Sequence, residues 1–280
     1  MESADYQPVC DSKYDNFFNL TATYKLNSDI PFTYMATKNK EGQVVGPKRD
    51  MTWVEPMAEV DEVLREKLSK KTKAVAWFGS LNCTTRSKRQ KYVQKLQEVL
   101  MNYNLTVDIY SNKEGLECEP FICPLEKPNE CDEMLERDYH FYLSFEKSFT
   151  EDLASRDLMK PLLTLTVPIV LGDANYSSFM PPGSYIEAPR ELRNMKKLAR
   201  TIADLIGTPK YYDFFRWKNY YSYSLPNKHC SLCTALNNED VMGTHKVYQD
   251  IRGWWYPNYE DRCRKIKEKM IEEMKKDGTI

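Results

Sequence analysis

The chain carries no surplus of either charge: 40 Lys plus Arg stand against 41 Asp plus Glu. A nucleic-acid binder draws its affinity from cations on phosphate, so this balance argues against that class. Long apolar runs are also missing. The longest, residues 158–171, is broken by Lys160, Pro161, Thr164, Thr166 and Pro168 and is too short to cross a bilayer. The first residues, MESADYQPVCDSKYDNFF, are acidic and polar and lack the apolar segment of a signal peptide. Neither a G-x-G-x-x-G fingerprint nor a P-loop occurs, which leaves the common dinucleotide and NTPase readings without support. No D-x-D pair occurs either, which speaks against a metal-dependent sugar-nucleotide enzyme. The cysteines follow no repeated metal-site spacing.

What is present points to the secretory route. The eight cysteines, at 10, 83, 118, 123, 131, 230, 233 and 263, are an even set that suits a disulfide framework in an oxidising compartment. Four N-x-Ser/Thr sequons, at Asn19, Asn82, Asn104 and Asn175, agree with it. A lumenal chain without an entry signal leads to the expectation that the true N-terminus, and with it any membrane anchor, lies upstream of Met1. A length of 280 residues is enough for one large domain or two small ones.

Residues 1–69 are irregular apart from a short helix expected at 59–68, and a polar stretch at 70–73 (KKTK) reads as a linker. The pattern then becomes regular. Residues 74–78 (AVAWF) form a nearly all-apolar run, as a strand covered on both faces does. Residues 87–101 place Tyr92, Leu96, Val99 and Leu100 on one helical stripe, and 105–110 (LTVDIY) reads as the next strand. Strand, helix and strand in this order fit a right-handed parallel βαβ unit. The alternation continues with a strand at 139–145, a helix at 151–165, a strand at 167–171, a short strand at 185–186 and a helix from Pro189 to about Ile206. The expected class is α/β, with a Rossmann-like parallel sheet covered by helices on both faces. Ligands of such sheets sit beyond the carboxyl ends of the strands, which directs attention to residues just after 78, 110, 145 and 171.

Beyond residue 78 come Gly79, Ser80, Leu81 and Asn82, then Arg86, Lys88 and Arg89 at the mouth of the next helix. Free amides and a cation at a helix entrance suit an anion, though the three basic residues also fit an ordinary solvated face. Beyond 145 comes Glu146, a carboxylate placed either to hold sugar or ribose hydroxyls or simply to face solvent. Cys230 and Cys233, with His229, His245 and Cys263, invite a zinc reading; in an oxidising compartment disulfides are the expectation. The aromatic clusters at 217–223 and 254–259 fit either core packing or stacking on a sugar.

Four segments then line up in order with one family. Residues 139–172, YHFYLSFEKSFTEDLASRDLMKPLLTLTVPIVLG, resemble the FYLSFENS…DYVTEK…VPVVLG signature of the α-1,3-fucosyltransferases. FFNLTATYKLNSDIPFTY at 17–34, AWFGSLNCTTRSKRQKYVQKL at 76–96 and FFRWKNYYSY at 214–223 are similar to other segments of that family. The resemblance implies the C-terminal, nucleotide-binding domain of a GT-B-type glycosyltransferase at 70–280, preceded at 1–69 by a remnant of the N-terminal acceptor domain. It implies inverting transfer of fucose from GDP-fucose, as donor substrate, to an N-acetylglucosamine hydroxyl of an N-glycan or similar acceptor. No metal or tightly bound cofactor is implied. The implied setting is the Golgi lumen, on a type II membrane protein whose anchor lies outside this chain.

Residue by residue, Arg89 falls on the family's pyrophosphate arginine and Asn82 on the asparagine of its SN motif. Glu146 and Ser148 fall on the Glu and Ser of FENS, and Glu2 on the proposed general base. The family's D-Y-V-T-E-K is here Asp152-Leu153-Ala154-Ser155-Arg156-Asp157, with an acid where a diphosphate-binding lysine is expected, and Lys147 stands in FEKS. Two expectations follow: a fucosyltransferase, or a non-catalytic relative that binds glycan or a partner glycosyltransferase.

Overall fold

A computed structural model describes residues 3–112, 123, 130–243 and 246–276. The chain divides into two compact units. One comprises 1–33, 148–153 and 227–280, and the other 34–147 and 154–226. A boundary at residue 69 is therefore not where the packing divides. Residues 36–38 pair antiparallel with 44–46 on one side and with Ser222–Ser224 on the other, and the Trp53 indole donates to the Ser177 carbonyl at 2.7 Å. These contacts place 34–69 with the larger unit.

In the larger unit five strands form one parallel sheet: β1 (Lys73–Phe78), β2 (Val107–Tyr110), β3 (Tyr139–Phe145), β4 (Val167–Leu171) and β5 (Ile186–Glu187). Their spatial order is β2-β1-β3-β4-β5. Every residue of β3 and β4 is buried, which explains why β4 reads as an unbroken apolar run and why β3 does not alternate, its polar His140 and Ser144 being buried as well.

Helices cover the sheet: α1 (Glu62–Ser69), α2 (Arg89–Leu100), α3 (Glu130–Asp138), α4 (Met159–Leu163) and α5 (Met195–Leu205). The Asp61 carboxylate caps α1 by accepting from the Leu64 amide at 2.8 Å. On α2 the stripe Tyr92, Val93, Leu96, Val99 and Leu100 is buried, and on α5 the stripe Met195, Leu198, Ala199 and Ile202; the two helices pack together. Lys71 ends α3: its Nζ donates to the carbonyls of Glu136 at 2.5 Å and Tyr139 at 2.8 Å.

Two expected helices are shorter than their apolar spacing suggested. Residues 151–165 hold a 3-10 turn at Arg156–Leu158 and then α4 alone. Asp152 adopts a left-handed φ of 59° and Ser155 is extended, so the helix cannot begin earlier. The segment from Pro189 likewise stays irregular until a 3-10 turn at Leu192–Asn194 leads into α5.

The smaller unit has one parallel strand pair, Ala22–Thr23 with Ile30–Pro31. Its first and last segments are joined by the Cys10–Cys263 disulfide. Asp29 is its polar centre, accepting from the Thr21 amide at 2.8 Å and the Tyr248 hydroxyl at 2.9 Å and pairing with Lys246. Among the described residues no helix is long and apolar enough to cross a membrane.

A candidate anion site at the switch point of the sheet

The strand order reverses between β1 and β3, and a crevice opens at the carboxyl ends of strands where such a reversal occurs. The residues found there are those that follow Phe78 and Phe145. Gly79 continues β1 by donating to the Tyr110 carbonyl at 2.8 Å. A side chain is excluded there, because a Cβ would lie 2.6 Å from the Trp77 indole. The loop then crosses toward β3. Ser87 donates through its amide to the Lys147 carbonyl at 3.0 Å and through its hydroxyl to the Glu146 carbonyl at 2.6 Å. Lys88 takes a left-handed φ of 54°, and α2 starts at Arg89.

Arg89 is 8% exposed and reaches the end of β3, donating from Nη1 to the Phe145 carbonyl at 2.6 Å. Its guanidinium lies 5.8 Å from the centre of the Trp77 ring and 3.7 Å from Asp157 Oδ2. Asp157, half-buried in the 3-10 turn that leads into α4, is paired at its other oxygen with Lys160 Nζ at 2.7 Å. The Tyr142 hydroxyl, fully buried on β3, has no hydrogen-bond partner among the described residues and lies within electrostatic reach of Asp157 and Arg89.

Glu146 lies one residue beyond β3 and is buried rather than solvated. Its amide donates to the Leu171 carbonyl at 2.9 Å, and its Oε1 accepts from the Ser155 amide at 2.7 Å. Gly172 closes over it: a Cβ there would lie 3.0 Å from Glu146 Cγ and 2.2 Å from the Tyr176 hydroxyl oxygen. Burial pushes the Glu146 carboxyl up to about 7, with the Asp157 charge adding to the rise and the Ser155 bonds and Arg89 opposing it. A folded-state value above the unfolded one means that the folded protein holds the extra proton between about pH 4.5 and 7. This residue's contribution to stability is therefore full below pH 4.5 and is lost as the pH rises toward 7. Glu146→Gln should remove that slope. The expected result is a wild-type-minus-variant difference in unfolding free energy that falls by roughly 3 kcal/mol from pH 4.5 to 7 in denaturant titrations.

Not all of the expected site residues come together. Arg89 and Glu146 share the switch point with Asp157, whereas Asn82 is exposed in the loop after β1, with its amide on the Ser80 hydroxyl at 3.1 Å. Ser148 belongs to the smaller unit, where its hydroxyl meets those of Ser3 at 2.7 Å and Thr150 at 3.2 Å. Glu2 lies outside the described residues. Lys160 and Ser155 were not singled out from the sequence. The three-residue spacing of Asp157 and Lys160 on a helical turn is the signal that would have found the pair.

Beside this site, at the ends of β4 and β5, a cavity of about 390 Å³ is lined by Gly172, Asp173, Tyr176, Glu187 and Arg190 among others. Arg190 and Asp173 form an ion pair there. Among the described residues no group of three His, Cys, Asp or Glu is placed to hold a metal ion.

Cys230 and Cys233 are free thiols, contrary to the disulfide expectation. They sit exposed on the helix Lys228–Leu236, while Cys10, Cys83, Cys123, Cys131 and Cys263 are disulfide-bonded elsewhere. His245 lies outside the described residues. The aromatic cluster at 217–223 is engaged internally. Trp217 and Tyr223 are buried against each other, and the Tyr220 and Tyr221 hydroxyls accept from the Ala58 and Val54 amides.

Comparison with known proteins finds that residues 68–254 match the model described as glycosyltransferase family 10 (fucosyltransferase), C-terminal. The chain is 34% identical over 243 residues to α-(1,3)-fucosyltransferase C of Drosophila melanogaster, covering 86% of this chain and 54% of that one. It is 30% identical over 247 residues to glycoprotein 3-α-L-fucosyltransferase A of the same organism, covering 87% of this chain and 44% of the relative. The chain thus spans about half the length of the curated relatives it matches. Among solved structures, an α1,3-fucosyltransferase with GDP-fucose aligns over 73% of this chain and 61% of its own, at 14% identity and a TM-score of 0.42. That likeness is too loose for residue correspondences.

Proposed function

The chain belongs to glycosyltransferase family 10, the fucosyltransferases, and from that premise we propose that its larger unit holds the diphosphate of GDP-fucose at the switch point between β1 and β3. The observation that carries this reading is the Arg89 guanidinium, drawn across the crevice from the start of α2 to the Phe145 carbonyl at 2.6 Å. One arm of the fork is fixed by that bond, which orients the rest of a planar, permanently charged group for an anion.

In the reaction so proposed, the bond between the fucose anomeric carbon and the diphosphate oxygen breaks as an acceptor hydroxyl oxygen bonds to that carbon. The hydroxyl proton passes to a carboxylate base, and GDP leaves with the added negative charge. Arg89 and Lys160 stabilise that charge, which grows as the bond breaks. Buried Glu146, held by the Ser155 amide, positions the segment that carries Asp157 rather than acting on the sugar. Glu2 remains the candidate base through family likeness. The acceptor is an N-acetylglucosamine hydroxyl of a glycoprotein glycan. The proposed setting is the Golgi lumen: the four sequon asparagines are all exposed and the disulfides suit an oxidising compartment.

Calorimetric titration tests the reading. GDP and GDP-fucose are expected to bind at about micromolar Kd, with guanosine far weaker. Equal binding of GDP and guanosine, or no heat at millimolar GDP, would contradict a diphosphate site.

A further inference from the structure

Two cations, Arg89 and Lys160, converge on one carboxylate at the place where the sheet offers an anion site. Each Asp157 oxygen faces one of them, at 3.7 Å and 2.7 Å, and the three side chains are all largely withdrawn from water. Resting on the donor site proposed above, we infer that Asp157 is an internal counter-anion. It takes the place of a phosphate group between Arg89 and Lys160, and donor affinity is set by competition between this carboxylate and the incoming diphosphate.

The local charges favour this reading over a merely structural ion pair. Arg89 is already anchored by the Phe145 carbonyl, so it needs no second partner to hold its place. Lys160 extends over the Phe78 ring, 5.8 Å from its centre, toward the end of β1 rather than into solvent. With Asp157 ionised the trio carries a net charge of +1; without it the two cations are left with the buried Glu146 carboxyl, pushed up to about 7, as the acid that Arg89 still acts on. A diphosphate entering now must either displace the carboxylate from both cations or sit beside a like charge. Like charges at such distances disfavour each other strongly away from bulk water.

The consequence is specific to phosphate. The carboxylate lowers affinity for GDP more than for GMP and leaves guanosine unaffected, so the native chain favours GDP over guanosine by less than it would without Asp157. Neutralising position 157 should widen the discrimination.

The test is calorimetric titration of GDP, GMP, guanosine and inorganic pyrophosphate into the full chain and into its Asp157→Asn and Asp157→Ser variants. Two side chains of different shape guard against one of them failing to fold, and circular dichroism checks both. The expected result is GDP and pyrophosphate affinity raised about tenfold or more in both variants, guanosine unchanged, and a larger GDP-to-GMP ratio. If the native chain binds GDP and the variants bind it equally or more weakly, the counter-anion is refuted while the donor site stands. If neither native chain nor variants bind GDP or pyrophosphate, the donor site and the counter-anion both fall. An equal gain for guanosine would show that the substitution acts on packing, and would also refute the inference.

Discussion

Arg89→Ala is expected to abolish phosphate-dependent binding: GDP affinity falls by a factor between about 30 and several thousand, while guanosine binding changes little. The range follows from removing one partner of a buried, hydrogen-bonded charge contact, which costs about 2–5 kcal/mol. Three features put Arg89 at the upper end. It is 8% exposed, its carbonyl anchor at Phe145 holds it in place, and the change leaves Asp157 with Lys160 alone. Arg89→Lys separates charge from geometry. An ammonium cannot bond the Phe145 carbonyl and a phosphate in one plane, so it should recover only part of the loss. Calorimetry on the three proteins, with thermal unfolding to confirm folding, checks the series. GDP affinity retained in Arg89→Ala would mean that the anion contact lies elsewhere.

The second large effect is on stability. The Cys10–Cys263 disulfide closes a loop over a sequence separation of 253 residues, nearly the whole chain. In the loop-entropy description a crosslink of that span destabilises the unfolded chain by about 5 kcal/mol. The other ties between the same segments, among them Asp29 with Tyr248 and the Trp255 indole on the Gln7 carbonyl, act only in the folded state and do not restrict the unfolded chain as a crosslink does. Arg252 with Asp15 at 2.7 Å and Arg262 with Asp5 at 3.6 Å are ion pairs open to solvent screening and add little to stability. The double change Cys10→Ser with Cys263→Ser should therefore lower the unfolding free energy of the smaller unit by several kcal/mol in guanidinium titration. An unchanged midpoint would show that these segments are held by packing alone.

The five-strand sheet was legible in the sequence because both faces of β1 and β4 are covered and show as short apolar runs, and because the aromatic-rich β3 lies between them without alternating. The strand order, and with it the switch point, was not, since pairing between β1 and β3 depends on contacts about 65 residues apart that no local pattern records. Helix lengths failed where the backbone rather than the side chains decides: at Asp152 a left-handed residue halts a helix that apolar spacing alone would have started at 151. The domain boundary at 69 followed a local charge run, whereas the packing of these segments is set by the pairing of Ala36–Lys38 with Ser222–Ser224 and by the disulfide to residue 10, which no local pattern records. Arg89 and Glu146 were visible as residues following strand ends. That Glu146 turns inward to an amide, and that Asp157 meets two cations, depends on three segments distant in sequence converging.

The most direct measurement is a crystal structure of the chain with GDP. A diphosphate within hydrogen-bond distance of the Arg89 guanidinium at the carboxyl ends of β1 and β3, with the Asp157 carboxylate turned away from it, is the expected result. Nucleotide bound instead in the cavity at Asp173 and Arg190, with Arg89 still paired to Asp157, would contradict it.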